Sequence, residues 1–351
     1  MLGMRHFALV VLLAASVASA STPVLSGFES LPSDPAPPEL VRGLHYWISN
    51  ENNLDLFHDA VKDKGGVYVG VGSDQNYLLG GWARSEVLVL LDFDQAIVDL
   101  HRVYRVIFLA AETPEDFLRL WQRKSRAEVR RLITEGYEDK KERFGALQAH
   151  GTARGAVERR LLRVVEQMAK ASLPSFLTDA AEYAHLRRLF QEDKVFMVRG
   201  DLTARRSVSA VGEAAVKAGK KVGVLYLSNA EQYFSYGAQY RRNIRALPMD
   251  ESSVVVRTSG QRGITHLKGT YYHYNTQSGS SFAAWLADPK TRHAHGMLRL
   301  APDTDKARGL SRLDIGPEEA REAAKQKLLA KRQVKKPARR IPRPTSAEAV
   351  Q

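Results

Sequence analysis

The sequence predicts an α/β sandwich, a parallel β-sheet with helices on both faces. Three observations carry this. Runs at 66–71, 87–92, 195–201, 222–227 and 253–257 are apolar at nearly every position, as strands buried on both faces are. The segments between them show apolar residues at helical spacing. Small and acidic residues gather directly after the runs, where such sheets hold their ligands.

Taken in order, 53–64 carries Leu54, Phe57 and Val61 on one helical face and leads into the first strand, 66–71. A short helix over 75–83 separates it from the second, 87–92. Asp94 then starts a helix through Ile97, Leu100, Val103, Ile107 and Phe108. Residues 113–190 interrupt the alternation. Thr113-Pro-Glu-Asp opens a helix with a cap and a first-turn proline, and more helix is expected over 152–170 and 179–190. This is an all-helical insertion between the second and third strands, with Arg130, Arg131, Lys140, Lys141, Arg159 and Arg160 forming a solvated face. Strands at 195–201, 222–227 and 253–257 then alternate with helices at 207–217 and 236–246.

The turn Gly70-Val-Gly-Ser-Asp-Gln-Asn76 follows the first strand. Two glycines permit close backbone approach to a ligand. Asp92, twenty-two residues beyond Gly70, stands at the separation of the ribose-binding acid in nucleotide-binding sheets. The carboxyl-end set is Gly70, Gly72, Asp74, Gln75 and Asn76, then Asp92 and Asp94, then Asp201, then Ser228, Asn229, Glu231 and Tyr233. Each has a second reading. Asp92 and Asp94 serve equally as caps of the next helix, Asp201 as a turn residue, and Asn229 with Glu231 as a capping pair. In 271–274, alternation puts Tyr272 and Tyr274 on one face, for core packing or for stacking, and His273 on the other. His273, His293 and His295 repeat no metal-ligand spacing, so no metal is expected.

The stretches Tyr68-Val-Gly-Val-Gly-Ser-Asp-Gln-Asn76, Tyr226-Leu-Ser-Asn-Ala-Glu-Gln-Tyr-Phe234 and Tyr271-Tyr-His-Tyr-Asn-Thr-Gln277, with Phe282 and Trp285, resemble a bacterial family of exported methyltransferase-like proteins of uncharacterised chemistry. More widely, the chain resembles the class I S-adenosylmethionine-dependent methyltransferases, a Rossmann-like fold. The narrower likeness covers roughly residues 40–290. The wider fold implies that Gly70 and Gly72, with Asp74, Gln75 and Asn76 beside them, approach the amino-acid part of S-adenosylmethionine. It further implies that Asp92 or Asp94 holds the ribose and Asp201 faces the adenine. Asn229, Glu231 and Tyr233 stand where substrate-positioning and catalytic groups would lie. The chain departs from the wider pattern in having two glycines, no acid opening the first strand, a long insertion, and no Asn-Pro-Pro-Tyr. A non-catalytic binding protein on the same fold is the alternative. Hydrolase patterns such as Gly-x-Ser-x-Gly are absent from the sequence.

Arg5, the apolar stretch 7–18 and Ala18-Ser-Ala20 have the three-part layout of a secretory signal peptide, so export with cleavage near Ala20 is expected. The absence of cysteine excludes disulfides and thiolate chemistry. Residues 21–38 are proline-rich and read as a disordered lead-in, the methyltransferase-like domain as 39–300, and 301–351 as a helix followed by a disordered basic tail. No later segment is long and apolar enough to span a membrane. Of the net charge of +13, nine units lie between Lys325 and Arg343, where no acid occurs. This tail fits an anionic envelope surface or another polyanion. Sequence-specific nucleic-acid reading is not expected, and the small-molecule partner is left open.

Overall fold

Alternate side chains of the central strands go to opposite layers, and this builds two cores from one sheet. The computed structural model describes residues 25, 27–36, 44–260, 270–301 and 303–334. The strands are β1 (Val67–Val71), β2 (Val87–Asp92), β3 (Val195–Arg199), β4 (Val222–Ser228), β5 (Val254–Ser259), β6 (His273–Ser278), β7 (Asp303–Asp305) and β8 (Leu310–Arg312). They form one eight-stranded sheet in the order β3-β2-β1-β4-β5-β6-β8-β7. β1 to β5 are parallel; β6 runs antiparallel to β5, β8 parallel to β6 and β7 antiparallel to β8. The parallel core matches the expected architecture, while the sheet as a whole is mixed. The domain also runs past residue 300, because β7 and β8 complete the sheet edge.

One layer takes Tyr68, Leu88, Leu90, Val224, Tyr226 and Val256. Against it lie α1 (His58–Val61), α2 (Gln75–Trp82), α3 (Gln95–Ala110), α4 (Pro114–Trp121), α5 (Arg126–Gly136), α6 (Lys140–Ala171) and α7 (Ala180–Gln191). The other layer takes Val67, Val69, Val87, Val89, Leu91, Leu225 and Val255. It is covered by α8 (Ser207–Lys217), α9 (Ala238–Ala246), α10 (Gly279–Ala287), α11 (Ala294–Leu298) and the start of α12 (Pro317–Val334). Each fully buried Val, Leu or Phe side chain contributes about 1.5–3 kcal/mol. The continuous apolar runs are explained by burial on both sides.

The helical insertion is α4 to α7. The segment expected over 152–170 belongs to a longer helix, the 32-residue α6, capped by Asp139, whose Oδ1 accepts the Glu142 N–H at 2.8 Å. Thr113 Oγ1 accepts the Asp116 N–H at 3.2 Å at the start of α4, and Asp179 Oδ1 accepts two N–H groups of α7 at 2.9 Å each. Ala146, Ala149, Ala153, Val157 and Leu161 form the buried stripe of α6. The insertion joins the sheet layer through an aromatic cluster in which Phe108 meets Phe117 at 4.5 Å and Phe190 at 4.8 Å, ring centre to ring centre.

The lead-in departs from expectation over 27–36, which is held in place rather than disordered. Phe28 is buried and stacks on Phe196 at 5.3 Å. Asp34, 1% exposed, accepts the N–H groups of Asp201, Arg206 and Ser207 at 3.1–3.3 Å and the Ser207 hydroxyl. It thereby satisfies the donors opening α8, which no residue inside that helix can do. Residues 1–24 and 335–351, with the signal peptide and most of the basic tail, lie outside the described residues. Among the described residues no helix is long and apolar enough to cross a membrane. Asp34→Ala is expected to cost about 2 kcal/mol in urea denaturation and to speed hydrogen exchange at Arg206 and Ser207; unchanged exchange there would refute the anchoring role.

Candidate functional site

The chain passes from β1 to β2 and β3 on one side, then returns past β1 to β4 on the other. The reversal opens a switch point between the carboxyl ends of β1 and β4, where ligands of such sheets bind. Residues 44–53 run across this point as an irregular strap.

The strap is fastened at four places. His45 Nδ1 lies 2.6 Å from Asp94 Oδ2. The Ser49 N–H donates to Asp74 Oδ1 at 2.8 Å. Asn50 Nδ2 donates to the Tyr272 hydroxyl at 2.9 Å, and the Asn53 N–H to the Tyr274 hydroxyl at 2.9 Å. Between them Glu51, 1% exposed, points into the sheet edge. Its carboxylate accepts four hydroxyls: Ser49 at 2.9 Å, Ser228 at 3.1 Å, Thr258 at 2.6 Å, and Tyr226. Burial, and then the Glu51 charge, push the Tyr226 phenol well above its ordinary range, so it acts here as a donor. Ser228 itself sits at φ +48°, a left-handed conformation unusual for a serine, and its hydroxyl bond to Glu51 holds it there.

The glycine turn is packed by its own neighbours. A Cβ at Gly70 would stand 2.1 Å from Asn76 Oδ1 and 2.5 Å from the Tyr68 ring. Gly72 has φ +86°, and a Cβ there would meet Gln75 Nε2 at 2.4 Å. Tyr68 donates to Asn76 Oδ1 at 2.9 Å, while Asn76 Nδ2 donates to the carbonyls of Val71 and Ser73 at 3.2 and 3.1 Å. His101 Nε2 donates to the Gly72 carbonyl at 2.9 Å and Nδ1 accepts from the Tyr77 hydroxyl at 2.7 Å. Burial lowers His101 to about 4, so the imidazole is neutral and this tautomer is fixed. Gly70 is therefore required by the buried side chains packed against it, and Gly72 by its left-handed backbone.

Asp74 ends in a buried ion pair with Arg160 Nε at 2.8 Å. Arg160 comes from α6 and is 0% exposed, which corrects the expectation that it shares a solvated face; Arg159 is exposed. Asp94 caps α3 by accepting the Ala96 N–H at 2.9 Å and also pairs with His45. Asp201 accepts the Thr203 N–H at 2.7 Å and its hydroxyl at 2.8 Å, a local turn. Asn229 donates to the Tyr272 hydroxyl at 3.0 Å. Glu231 is buried, accepts from Tyr236 at 2.5 Å and Tyr240 at 2.7 Å, and meets Arg257 Nε at 2.6 Å; it cements the layer beneath the site. Tyr233 is 74% exposed. Tyr272 and Tyr274 are core residues with bonded hydroxyls. His273 bonds the Ser311 hydroxyl at 2.7 Å, and His293 Nδ1 accepts the Gly296 N–H at 3.0 Å.

Asp92 behaves differently from the other acids. It is half-buried at the end of β2, and its bonds are to backbone, the Asp94 N–H at 2.8 Å and the Gly72 N–H. Among the described residues no cation pairs with it. Burial pushes its carboxyl up to about 7, so near neutral pH it both accepts and donates hydrogen bonds.

Sequence reasoning missed Ser49, Glu51, His101, Arg160, Tyr226 and Thr258. Tyr68 and Tyr226, two hydroxyls inside apolar strands, were the available signal for a buried polar cluster. Nothing in the spacing marked Glu51, which reaches the site from outside the strand–helix repeat.

These features define an α/β protein with a mixed eight-stranded sheet, compatible with a Rossmann-like fold, and a polar cluster at its switch point. The chain belongs to the family described as a domain of unknown function, DUF7790, whose model matches residues 46–314. The match begins in the strap and ends just beyond β8. No curated protein matches the chain.

Gly70→Ala is expected to lose about 2–3 kcal/mol of stability by overpacking, and the loss should shrink when Asn76→Ala is combined with it. A double-variant cycle in urea measures this; strict additivity would separate Gly70 from the Tyr68–Asn76 bond.

Proposed function

We propose that this chain is an exported, methyltransferase-like protein that binds a nucleoside-type ligand, such as S-adenosylmethionine, at the carboxyl ends of β1, β2 and β4. The observation that carries the reading is Asp92. It is a partly exposed carboxyl at the end of the second strand, beside the glycine turn, free of any cation among the described residues. A ribose presents two adjacent hydroxyls, each donor and acceptor, and a carboxylate in that position is suited to hold both. The fit at the turn is different, since the Cβ directions of Gly70 and Gly72 are filled by the chain's own side chains. The ligand would meet the outer edge of the turn and Asp92. S-adenosylmethionine would supply an activated methyl group, and the chain's residues would bind and orient it.

A second reading has its own support. Of the three residues expected to act on a substrate, Glu231 is committed to Arg257, Tyr236 and Tyr240, Asn229 to Tyr272, and Tyr233 faces solvent. This favours a protein that retains the binding site without catalysing transfer, held near anionic surfaces by residues 325–343.

Calorimetry with S-adenosylmethionine and its demethylated product tests the binding reading. Micromolar affinity is expected, falling at least about tenfold in Asp92→Ala. The ionised form of Asp92 accepts both ribose hydroxyls, so affinity should rise about tenfold per pH unit up to pH 7 and level off above it. Absence of binding at millimolar ligand would end the proposal. The same raised pKa has a stability consequence of opposite sign. The folded chain holds a proton on Asp92 that the unfolded chain has lost between pH 4 and 7, so folding weakens as pH rises through that window, and Asp92→Asn should flatten the fall.

Deleting residues 325–351 is expected to weaken retention on anionic liposomes or heparin at low salt. Equal retention by the full and shortened chains would discard the electrostatic tether.

A further inference from the structure

The outward face of α6 carries features that the chain's own packing does not account for. Phe144 and Leu162 are eighteen residues apart, five turns of a helix, so both stand on one line along α6, about 27 Å from each other. That line is opposite the buried stripe of Ala146, Ala149, Ala153 and Val157, and the two side chains are 61% and 51% exposed. Gly151 and Gly155 lie between them, each within about 20° of the same line. A Cβ at Gly151 would meet nothing within 4 Å, and one at Gly155 only the Arg159 guanidinium at 3.6 Å. Neither glycine has a positive φ. Gly145 of the same helix differs, since a Cβ there would stand 2.3 Å from Asp99 Oδ2. Glycine inside a helix is destabilising relative to alanine, so at 151 and 155 the helix gives up stability for a flat, open surface. Such a surface lets a second backbone approach closely.

The pattern reads alike from both ends, and this identifies what covers it. About residue 153, Phe144 and Leu162 lie nine residues to either side, and Gly151 and Gly155 lie two. A surface that repeats under reversal fits an isologous contact, in which the same patch of two copies meets across a two-fold axis. An antiparallel pair of α6 helices with that axis at 153 sets Phe144 on Leu162 of the second copy, and Gly151 on its Gly155. On one flank the pairing brings Lys141 to Glu166 of the second copy, and Gln148 to its Arg159. All four of these flanking residues are exposed. A parallel pair would instead oppose lysine to lysine and glutamate to glutamate, so the charges favour the antiparallel alignment. The mixed signs of Lys141, Glu158, Arg159 and Glu166 also set the face apart from a lipid-binding helix, whose polar side is basic.

We propose that the outward face of α6 is a homodimer interface, in which two copies pack antiparallel through Phe144, Gly151, Gly155 and Leu162. The insertion then works on two sides. Its inner side ties α6 to Asp74 through Arg160, and its outer side joins the second copy. Phe144 and Leu162 gain apolar partners at the two ends of the contact, and the glycines set the closest approach between them. One helix pair buries less surface than a permanent dimer needs, so the association is weak and reversible. It does not depend on which ligand the switch point binds.

Sedimentation equilibrium of the full chain, from about 1 to about 300 µM, tests this. A monomer–dimer equilibrium with a dissociation constant on the order of 10 µM is expected. Lys141→Glu should weaken it about tenfold, and adding Glu166→Lys should restore it to within about twofold, because the exchange rebuilds both flanking pairs. The double variant Gly151→Ala, Gly155→Ala should show effects of opposite sign. Its dimer should be at least about tenfold weaker, since methyl groups enter the closest approach from both copies. The thermal midpoint of the dilute, monomeric chain should meanwhile rise by about 2–4 °C, which also shows that the variant folds. A chain that stays monomeric over the whole range overturns the proposal. So does a dimer unmoved by the two alanines, or one that the charge exchange fails to restore. A lowered midpoint in the alanine variant would mean that the fold itself requires the glycines, and would equally overturn it.

Discussion

The bond set around the Glu51 carboxylate is the constraint on which the rest of the site depends. One residue of an irregular strap joins Ser49 of its own segment to β4 through Tyr226 and Ser228 and to β5 through Thr258. A carboxylate buried without donors would cost several kcal/mol and would protonate instead. With four hydroxyls it becomes a fixed node. The left-handed Ser228, the course of the strap over β1 and the orientation of Ser49 toward Asp74 all follow from it. A chain that needed only to bury its sheet edge could have placed a leucine at 51. The polar node instead fixes a single arrangement of three segments, and removing one partner would leave a buried charge uncompensated.

The Asp74–Arg160 pair extends this logic to the insertion. Buried ion pairs add little net stability over apolar side chains of similar volume, so stability alone does not account for it. Its geometric effect is specific. Arg160 is anchored on α6, which also pairs with α3 through Arg102 and Glu142; the bond to Asp74 ties the same helix to the turn after β1. The strap and the insertion, which lie outside the strand–helix repeat, therefore converge on the first turn after β1. The parallel sheet supplies the position, and these two additions supply the chemistry.

The fold was legible because its signals are local. Continuous apolar runs, the Asp94 and Thr113 caps and helical spacing each report on a few neighbouring residues, and the structure agrees with them. The mixed edge was not legible, since β7 and β8 are three residues each and gain their stability from pairing to β6 rather than from their own composition. The site was only half legible. The list of polar residues at strand ends was sound as a list of positions, but residue type does not say what an acid is already bonded to. Asp94 and Asp201 resolved to caps and turns, and Glu231 to a buried pair. Glu51 and Arg160 come from 41 and 68 residues to either side of Asp92, beyond any periodic signal.

What sets Asp92 apart from the other acids at the strand ends is the identity of its partners. Asp74, Asp94 and Glu231 each face a basic side chain, Asp201 closes a turn, and Glu51 is saturated with hydroxyls. Asp92 is held only by backbone N–H groups, which orient a carboxyl without neutralising it, and burial then raises its pKa to about 7. The cost of burying it is carried by the fold at neutral pH and would be relieved by a donor-rich ligand such as a diol. Arg160 has the complementary property, a buried edge of donors with no acceptor among the described residues. The strand-end acids are otherwise closed by their partners, so the 72–74 turn is flanked by an acid that backbone alone holds and by a guanidinium edge without an acceptor among the described residues.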